Sequence, residues 1–181
     1  MKRPKNLGRG HIYHPRPFAE FMLSYAEGLT MTFNPGSKYR SICPIGVFEM
    51  NQQEVADFLA ESRIAVMATI NRDGTPQLTP NWYYYDGKVL TFITTKERLK
   101  YLNLKQDNRM SVCIYAAPMA LDYVVIKGRA TLKDQDMWDE ARRIMARYVP
   151  EHEIDEHLEL WKTQPRVLVT VTPTRISSRR R

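Results

Sequence analysis

Residues 91–109 read TFITTKERLKYLNLKQDNR, and within them an apolar strand pattern gives way to a basic helical pattern. The apolar beginning predicts the end of a strand, and the residues that follow predict a helix starting at Thr94. Thr94 and Glu97 form a T-x-x-E pair, which is typical of a capping box at a helix N-terminus. Leu99 and Leu102 are expected to pack this helix against a core.

Three cations lie in the first turns of this predicted helix, namely Lys96, Arg98 and Lys100. A helix N-terminus exposes unpaired N–H groups and carries the positive end of the helix dipole. Cations placed there predict a site for a phosphate. Lys96, Lys100 and Asn103 follow an i, i+4, i+7 spacing, so they are expected to share one face. A solvated basic helix face is the alternative interpretation.

Composition and charge narrow the possible partners. The chain has 181 residues, of which 43% are hydrophobic and 26% charged, as in a globular protein of one domain. Its net charge of +7 favours nucleic acid, an anionic membrane surface or a phosphorylated small molecule. Much of the excess lies in the ends, at 1–16 and 175–181, and basic ends are more often solvated than bound to nucleic acid. Nucleic-acid binding is therefore not predicted.

The sequence also disfavours a metal site, a membrane span and secretion. Cys43 and Cys113 fit no metal or redox spacing, and His152 and His157 are five residues apart, so no metal site is expected. No apolar run is long enough to span a membrane, and the N-terminus lacks the apolar segment of a signal peptide. We therefore expect a cytoplasmic protein.

The chain is expected to divide near residue 50. Residues 1–50 are rich in proline and glycine and form an irregular extension with one amphipathic helix, whose apolar side chains would be Phe18, Phe21, Met22, Tyr25 and Leu29. That helix is expected to pack on the main domain or a second subunit, since Glu20 and Glu27 disfavour a membrane surface. Residues 51–181 form the main domain.

Short apolar runs separated by turn signals predict a mainly antiparallel α+β domain. The predicted strands are 64–70, 77–85, 88–93, 110–115, 123–132 and 167–171, and the predicted helices begin at Asn51, Thr94 and Asp134. Asp-Gly pairs after the first and second strands predict tight hairpins. We expect a small closed or half-closed barrel with helices at its rim.

The second predicted strand contains Thr79, Pro80, Asn81 and Trp82. Proline cannot donate a hydrogen bond to a neighbouring strand, so this strand is expected to be bulged or to lie at a sheet edge. Thr79 and Asn81 would point to one face, where they could hydrogen-bond a planar heteroaromatic ring, and Pro80 and Trp82 to the other. A plain half-buried strand is the alternative.

The order of these segments resembles the split-barrel flavoproteins of the pyridoxamine 5′-phosphate oxidase-like superfamily. The resemblance covers 52–132 and 166–175 and runs through IAVMATI, a DG turn, PQLTPNW, a second DG turn, TFITTKERLKYLNL and DNRMSV. It is closest to the flavin/deazaflavin oxidoreductase branch, several members of which use F420. That branch has T-P-x-W on the second strand and a threonine with basic residues after the third.

The resemblance implies a six-stranded antiparallel split β-barrel that forms a homodimer and binds F420 or FMN between its subunits. The cofactor ring would be lined by Thr79, Pro80, Asn81 and Trp82, and the phosphate would be surrounded by Thr94, Lys96, Arg98, Lys100 and Asn103. True pyridoxamine-phosphate oxidases have an arginine where this chain has Thr79 and a glutamine where it has Tyr123. Vitamin B6 oxidation is therefore not expected, whereas Tyr123 suits the F420 branch.

The predicted function is that of an oxidoreductase. It would transfer hydride between F420 or FMN and a small planar or conjugated substrate in a site at the dimer interface. No proton donor is evident, and Tyr83, Tyr85 and Tyr123 are the first candidates. The alternative is a non-catalytic split barrel that holds a flavin, F420 or haem for storage or sensing.

Overall fold

The computed structural model describes residues 48–180. The predicted amphipathic helix of the N-terminal extension lies outside the described residues.

Four helices and seven strands make up the described domain. The helices are α1 Gln52–Ala60, α2 Leu99–Gln106, α3 Trp138–Met145 and α4 Ile154–Lys162, with a short 3₁₀ turn at Glu151–Glu153. The strands are β1 Ala65–Ile70, β2 Pro76–Asn81, β3 Tyr84–Tyr85, β4 Leu90–Thr95, β5 Arg109–Tyr115, β6 Tyr123–Lys133 and β7 Arg166–Arg179.

All the strands belong to one antiparallel sheet in the order β2-β1-β5-β6-β7-β4-β3. Strands β2 and β3 lie at opposite edges, although only Trp82 and Tyr83 separate them in the chain. Three peptide steps span at most about 11 Å, so the sheet must curl until its two edges approach each other. This half-barrel confirms the predicted α+β split barrel.

The seventh strand arises because the second predicted strand, at 77–85, is divided. Its first part pairs with β1 and its second part with β4. Pro80 lies on the edge strand β2, where a missing N–H leaves no neighbour unpaired, as predicted. Both Asp-Gly turns are confirmed, and Gly74 and Gly87 adopt the positive φ angles (+83° and +94°) that such turns require.

The core fills the inside of the curled sheet. Side chains alternate along β1, so that Ala65, Met67 and Thr69 are buried while the residues between them are half-buried. The other large side chains of this core include Leu59, Tyr83, Leu90, Phe92, Val112, Ile114, Val124 and Ile126. A second cluster of Ala141, Met145, Ile154 and Leu158 joins α3 to α4.

Helix α2 begins later than predicted. Strand β4 continues through Thr94 and Thr95, because both pair with β7, and the helix begins only at Leu99. The predicted capping box at Thr94 and Glu97 is therefore wrong.

The buried face of α2 also differs from the prediction. Leu99 and Leu102 are 49% and 53% exposed, and the buried residues of this helix are Asn103 and Leu104. The expected packing of the two exposed leucines against the core is wrong, because α2 turns the face that carries Asn103 and Leu104 inward. Helix α4 was not predicted, and β7 extends well beyond the predicted strand at 167–171.

Candidate functional site

A cleft of about 340 Å³ lies beside the edge strand β2, where β4, α3 and α4 approach it. It is lined by Ile64, Pro80, Asn81, Trp82, Ile93, Ile144 and Trp161. Apolar and aromatic side chains dominate this lining, as in most small-molecule sites.

The rings of Trp82 and Trp161 line the cleft, and Tyr148, which is outside the lining, packs against one of them. Trp82 stacks on Tyr148 with ring centroids 5.0 Å apart and an interplanar angle of 5°. Trp161 lies 6.4 Å from Trp82 at an angle of 30°. The Tyr148 hydroxyl donates to the backbone oxygen of Arg63 at 2.6 Å, which fixes the stack. Flat aromatic surfaces of this kind suit a planar ring.

Lys100, on helix α2, contacts the cleft residue Asn81 without itself belonging to the lining. Its Nζ donates to Oδ1 of Asn81 at 2.5 Å, and Nδ2 of Asn81 donates to the backbone oxygen of Thr79 at 2.8 Å. The second bond orients the amide so that its oxygen faces the lysine. Thr79 and Asn81 share the half-buried face of β2 while Pro80 is exposed on the other face, as predicted.

Lys100 belongs to a cluster of three cations with Arg98 and Arg166. Burial lowers the pKa of Lys100, and the charge of Arg98 lowers it further. Burial and the same Arg98 charge also lower the pKa of Arg166. Within residues 48–180, no carboxylate forms an ion pair with any of the three. This cation cluster therefore carries positive charge that nothing in the described chain neutralises.

Arg166, like Trp161, is a residue of the candidate site that the sequence analysis did not predict. Its guanidinium lies 4.1 Å above the ring of Trp161, and its Nη2 donates to Gln164 at 2.6 Å. Its Nε is buried without a hydrogen-bond partner. The register that pairs Arg166 with Thr95 brings it close to the start of α2, and no local motif signals that pairing.

Three residues predicted around the phosphate have other partners in this structure. Lys96 forms an ion pair with Asp134 at 2.7 Å, which raises the pKa of Lys96 and lowers that of Asp134. Thr94 is buried in strand β4. Asn103 is 3% exposed, and its amide donates to Asn71 Oδ1 at 2.8 Å. Lys96, Lys100 and Asn103 therefore do not converge on one point.

The predicted tyrosines lie away from the cleft lining. The Tyr83 hydroxyl is buried and donates to the Leu59 backbone oxygen at 3.0 Å, and burial raises its pKa well above the usual value. The Tyr85 hydroxyl donates to the Gly87 backbone oxygen at 2.9 Å. Tyr123 begins β6, three places from β2 in the sheet.

The structure offers no metal site or membrane helix in the part of the chain that it describes. His152 and His157 both approach Glu153, at 3.5 and 3.8 Å, but no group of three potential ligands occurs within residues 48–180. None of the four described helices is long and apolar enough to cross a bilayer.

The curled sheet and its rim helices define a split-barrel protein. Residues 52–180 match the family model described as pyridoxamine 5′-phosphate oxidase. The chain therefore belongs to this family.

Three solved structures with the same fold are similar to this chain along most of their own length. An F420 reductase is 25% identical, with a TM-score of 0.54, over 67% of this chain and 94% of its own. A conserved hypothetical protein from Mycobacterium tuberculosis is 27% identical, with a TM-score of 0.60, over 71% of this chain and 84% of its own. An FAD-binding protein from Mesorhizobium loti is 19% identical, with a TM-score of 0.56, over 75% of this chain and 98% of its own, and at that identity it supports the fold alone.

Proposed function

We propose that this protein is an oxidoreductase that binds F420 or FMN in the cleft beside β2. The cofactor phosphate would lie at the cation cluster of Arg98, Lys100 and Arg166, and the ring would lie against Trp82. Hydride would pass between the cofactor and a small planar or conjugated substrate. The similarity to an F420 reductase supports this class of activity.

The observation that carries this proposal is the uncompensated charge next to an aromatic cleft. Burial disfavours the charged forms of Lys100 and Arg166, and Arg98 disfavours them further. A bound anion would offset both effects by supplying the opposite charge. The unpartnered Nε of Arg166 would gain an acceptor if a phosphate oxygen lay within hydrogen-bonding distance.

The residues present fit such a cofactor. Arg98, Lys100 and Arg166 would hold its phosphate, while Asn81 and Trp82 would orient its ring. The cofactor would supply the redox chemistry, and the protein would supply binding, orientation and exclusion of water.

A second subunit would complete the site in the homodimer that we propose. Trp82 is 36% exposed and Leu78, on the outer side of β2, is 62% exposed. Covering these side chains would remove apolar surface from water and enclose the cleft.

Binding can be tested by titrating the purified protein with F420 and with FMN, using absorption and calorimetry. We expect one of them to bind with one site per chain. If neither binds, both the cofactor assignment and the enzyme assignment fail. Turnover is then tested by steady-state oxidation of the reduced cofactor with planar quinone and nitroaromatic acceptors. Pyridoxamine 5′-phosphate, which would donate electrons, is tested separately with the oxidised cofactor and oxygen, and we expect no turnover.

The second candidate function is cofactor binding for storage or sensing, without turnover. It is favoured by the lining of the cleft, which contains no carboxylate, histidine, cysteine or tyrosine among the described residues. A substrate that must be protonated would therefore need a proton from water or from the second subunit. Tight cofactor binding with no oxidation by any acceptor would favour this function.

A further inference from the structure

A second basic groove lies on the outer face of the sheet and shares no residue with the cleft. Its volume is about 590 Å³, and it is formed by β1, β2, β5, β6 and β7. Arg109, Lys127 and Arg129 line it, over a floor that includes Ala68 and Ile70. We call it the outer groove.

The strand register places like charges directly opposite each other in this groove and beside it, where the exposed Arg175 lies outside the lining. Arg109 on β5 pairs with Arg129 on β6, and Lys127 on β6 pairs with Arg175 on β7. Side chains directly opposite in an antiparallel pair have Cβ atoms about 4.5–5.5 Å apart, and like charges at such positions are destabilising. A negative charge bound between two such pairs on neighbouring strands would therefore reduce the repulsion within them.

The described chain supplies little of that compensation. Arg109 is bound by Asp107, with Nη2 to Oδ2 at 2.6 Å, and Arg129 donates to the Asn108 amide oxygen at 3.0 Å. Among residues 48–180, Asp107 is thus the one carboxylate that forms an ion pair with any of these four cations. Neither the Lys127 nor the Arg175 side chain makes a hydrogen bond or ion pair within residues 48–180.

We propose that the outer groove binds a small molecule with two acidic groups, either phosphates or carboxylates. Lys127 and Arg129 are two residues apart on one strand, so the two cation pairs are about 7 Å apart along it. One acidic group would lie at Arg109 and Arg129, and the other at Lys127 and Arg175. Lys127 pairs with Arg175 and Gly128 with Pro173, so Thr174 is an extra residue on β7, and this bulge bends β7 between the two cation pairs.

The lining favours a small molecule over a nucleic acid. Sites for single-stranded nucleic acid combine basic residues with aromatic rings on which bases stack. The described lining of the outer groove has no aromatic residue. Its volume lies within the range of about 300–1,000 Å³ that is usual for small-molecule sites.

The proposal does not rest on the cofactor assignment, and the test separates the two sites. Inorganic tripolyphosphate and citrate are titrated into the full-length protein at low ionic strength, by calorimetry and thermal shift. The two probes distinguish a phosphate ligand from a carboxylate ligand. The informative variant is Lys127→Gln, because this side chain has no contact to lose. Lys133→Gln is the control on the same strand, and Lys100→Ala removes a cation from the cleft.

We expect at least one probe to bind the wild type and to bind Lys127→Gln about tenfold more weakly, as for one lost charge-assisted contact. Without ligand, Lys127→Gln should be at least as thermally stable as the wild type, because one like-charge pair is gone. Lys133→Gln and Lys100→Ala should retain the outer-groove binding.

Three results would overturn the proposal. The first is that the wild type binds neither probe. The second is that Lys100→Ala abolishes binding while Lys127→Gln leaves it unchanged, which would place the anion in the cleft. The third is that Lys127→Gln changes the oligomeric state in size-exclusion chromatography, which would assign the outer groove to a contact between copies of this chain.

Discussion

Replacing Lys100 with alanine tests whether the cation cluster binds the cofactor phosphate. A hydrogen bond to a charged group contributes about 1.5–3 kcal/mol, which corresponds to a rise in Kd of about 10- to 150-fold. Within residues 48–180, the only hydrogen bond that the free protein loses is the one from Nζ to Asn81. The substitution also removes a half-buried cation, whose burial is unfavourable and offsets the lost hydrogen bond. The free energy of unfolding should therefore change by no more than about 1 kcal/mol.

Two lysines close in sequence serve as matched controls. Lys96 was also predicted to surround the phosphate, but its charge is already neutralised by Asp134. Lys105 is exposed on the same helix as Lys100, with its ammonium 5.7 Å from the Tyr101 ring. Alanine at either position should leave the Kd within about twofold of the wild type, as for most exposed charges.

The assay compares FMN with riboflavin, which has the same ring and no phosphate. Titrations followed by flavin fluorescence give both Kd values for each variant. Lys100→Ala should weaken FMN binding and leave riboflavin binding unchanged. If F420 is the ligand that binds, the assay compares F420 with its phosphate-free ring fragment in the same way.

Two outcomes would refute this reasoning. An equal loss of affinity for FMN and riboflavin would show that Lys100 acts on the ring or on the fold. If Lys96→Ala weakens FMN binding as much as Lys100→Ala does, the ion pair with Asp134 does not prevent Lys96 from binding the ligand.

Four further predictions follow from single residues. Burial and the charge of Arg98 lower the pKa of Lys100 from 10.5, so Lys100 loses its proton at a lower pH than an ordinary lysine. The affinity for the phosphate should therefore fall as the pH rises toward 10.5. In titrations across this pH range, Lys100→Arg should remove most of that fall. Asn103→Ala leaves buried acceptors unpaired and should lower the free energy of unfolding by about 1–3 kcal/mol in urea denaturation, and a change near zero would contradict its structural role. Gly128→Ala places a Cβ against a backbone oxygen of β7 closer than van der Waals contact, so it should destabilise the fold by about 1–3 kcal/mol, measured in the same way. Tyr83→Phe removes a buried hydroxyl that donates to the Leu59 backbone oxygen, on a residue outside the cleft lining, so it should lower the thermal midpoint and leave kcat unchanged. A large drop in kcat would restore Tyr83 as a proton donor.

Much of the fold follows from local sequence patterns. Alternating apolar residues predict β1, because a half-buried strand needs one apolar face. The Asp-Gly turns and Pro80 likewise act through the conformations and hydrogen bonds of single residues, so their structural consequences could be predicted without the rest of the chain.

Local patterns failed where a distant strand competes for the same residues. The T-x-x-E pair at Thr94 is a sound capping signal by itself, yet Thr94 and Thr95 pair with β7 instead. The sheet hydrogen bonds extend the strand and move the helix start to Leu99. Lys96 is thereby placed beside Asp134, while Lys100 reaches Asn81.

The sequence alone determined the class of fold, the basic segment after β4 and the polar pair on β2. Only the tertiary structure decided which cations lie together, because Arg166 reaches the start of α2 through its pairing with Thr95, which is 71 positions away in the chain. The same holds for Trp161 and Trp82, which approach each other only after the sheet curls. Local patterns fix the conformation of a segment, whereas the composition of a site depends on contacts between segments.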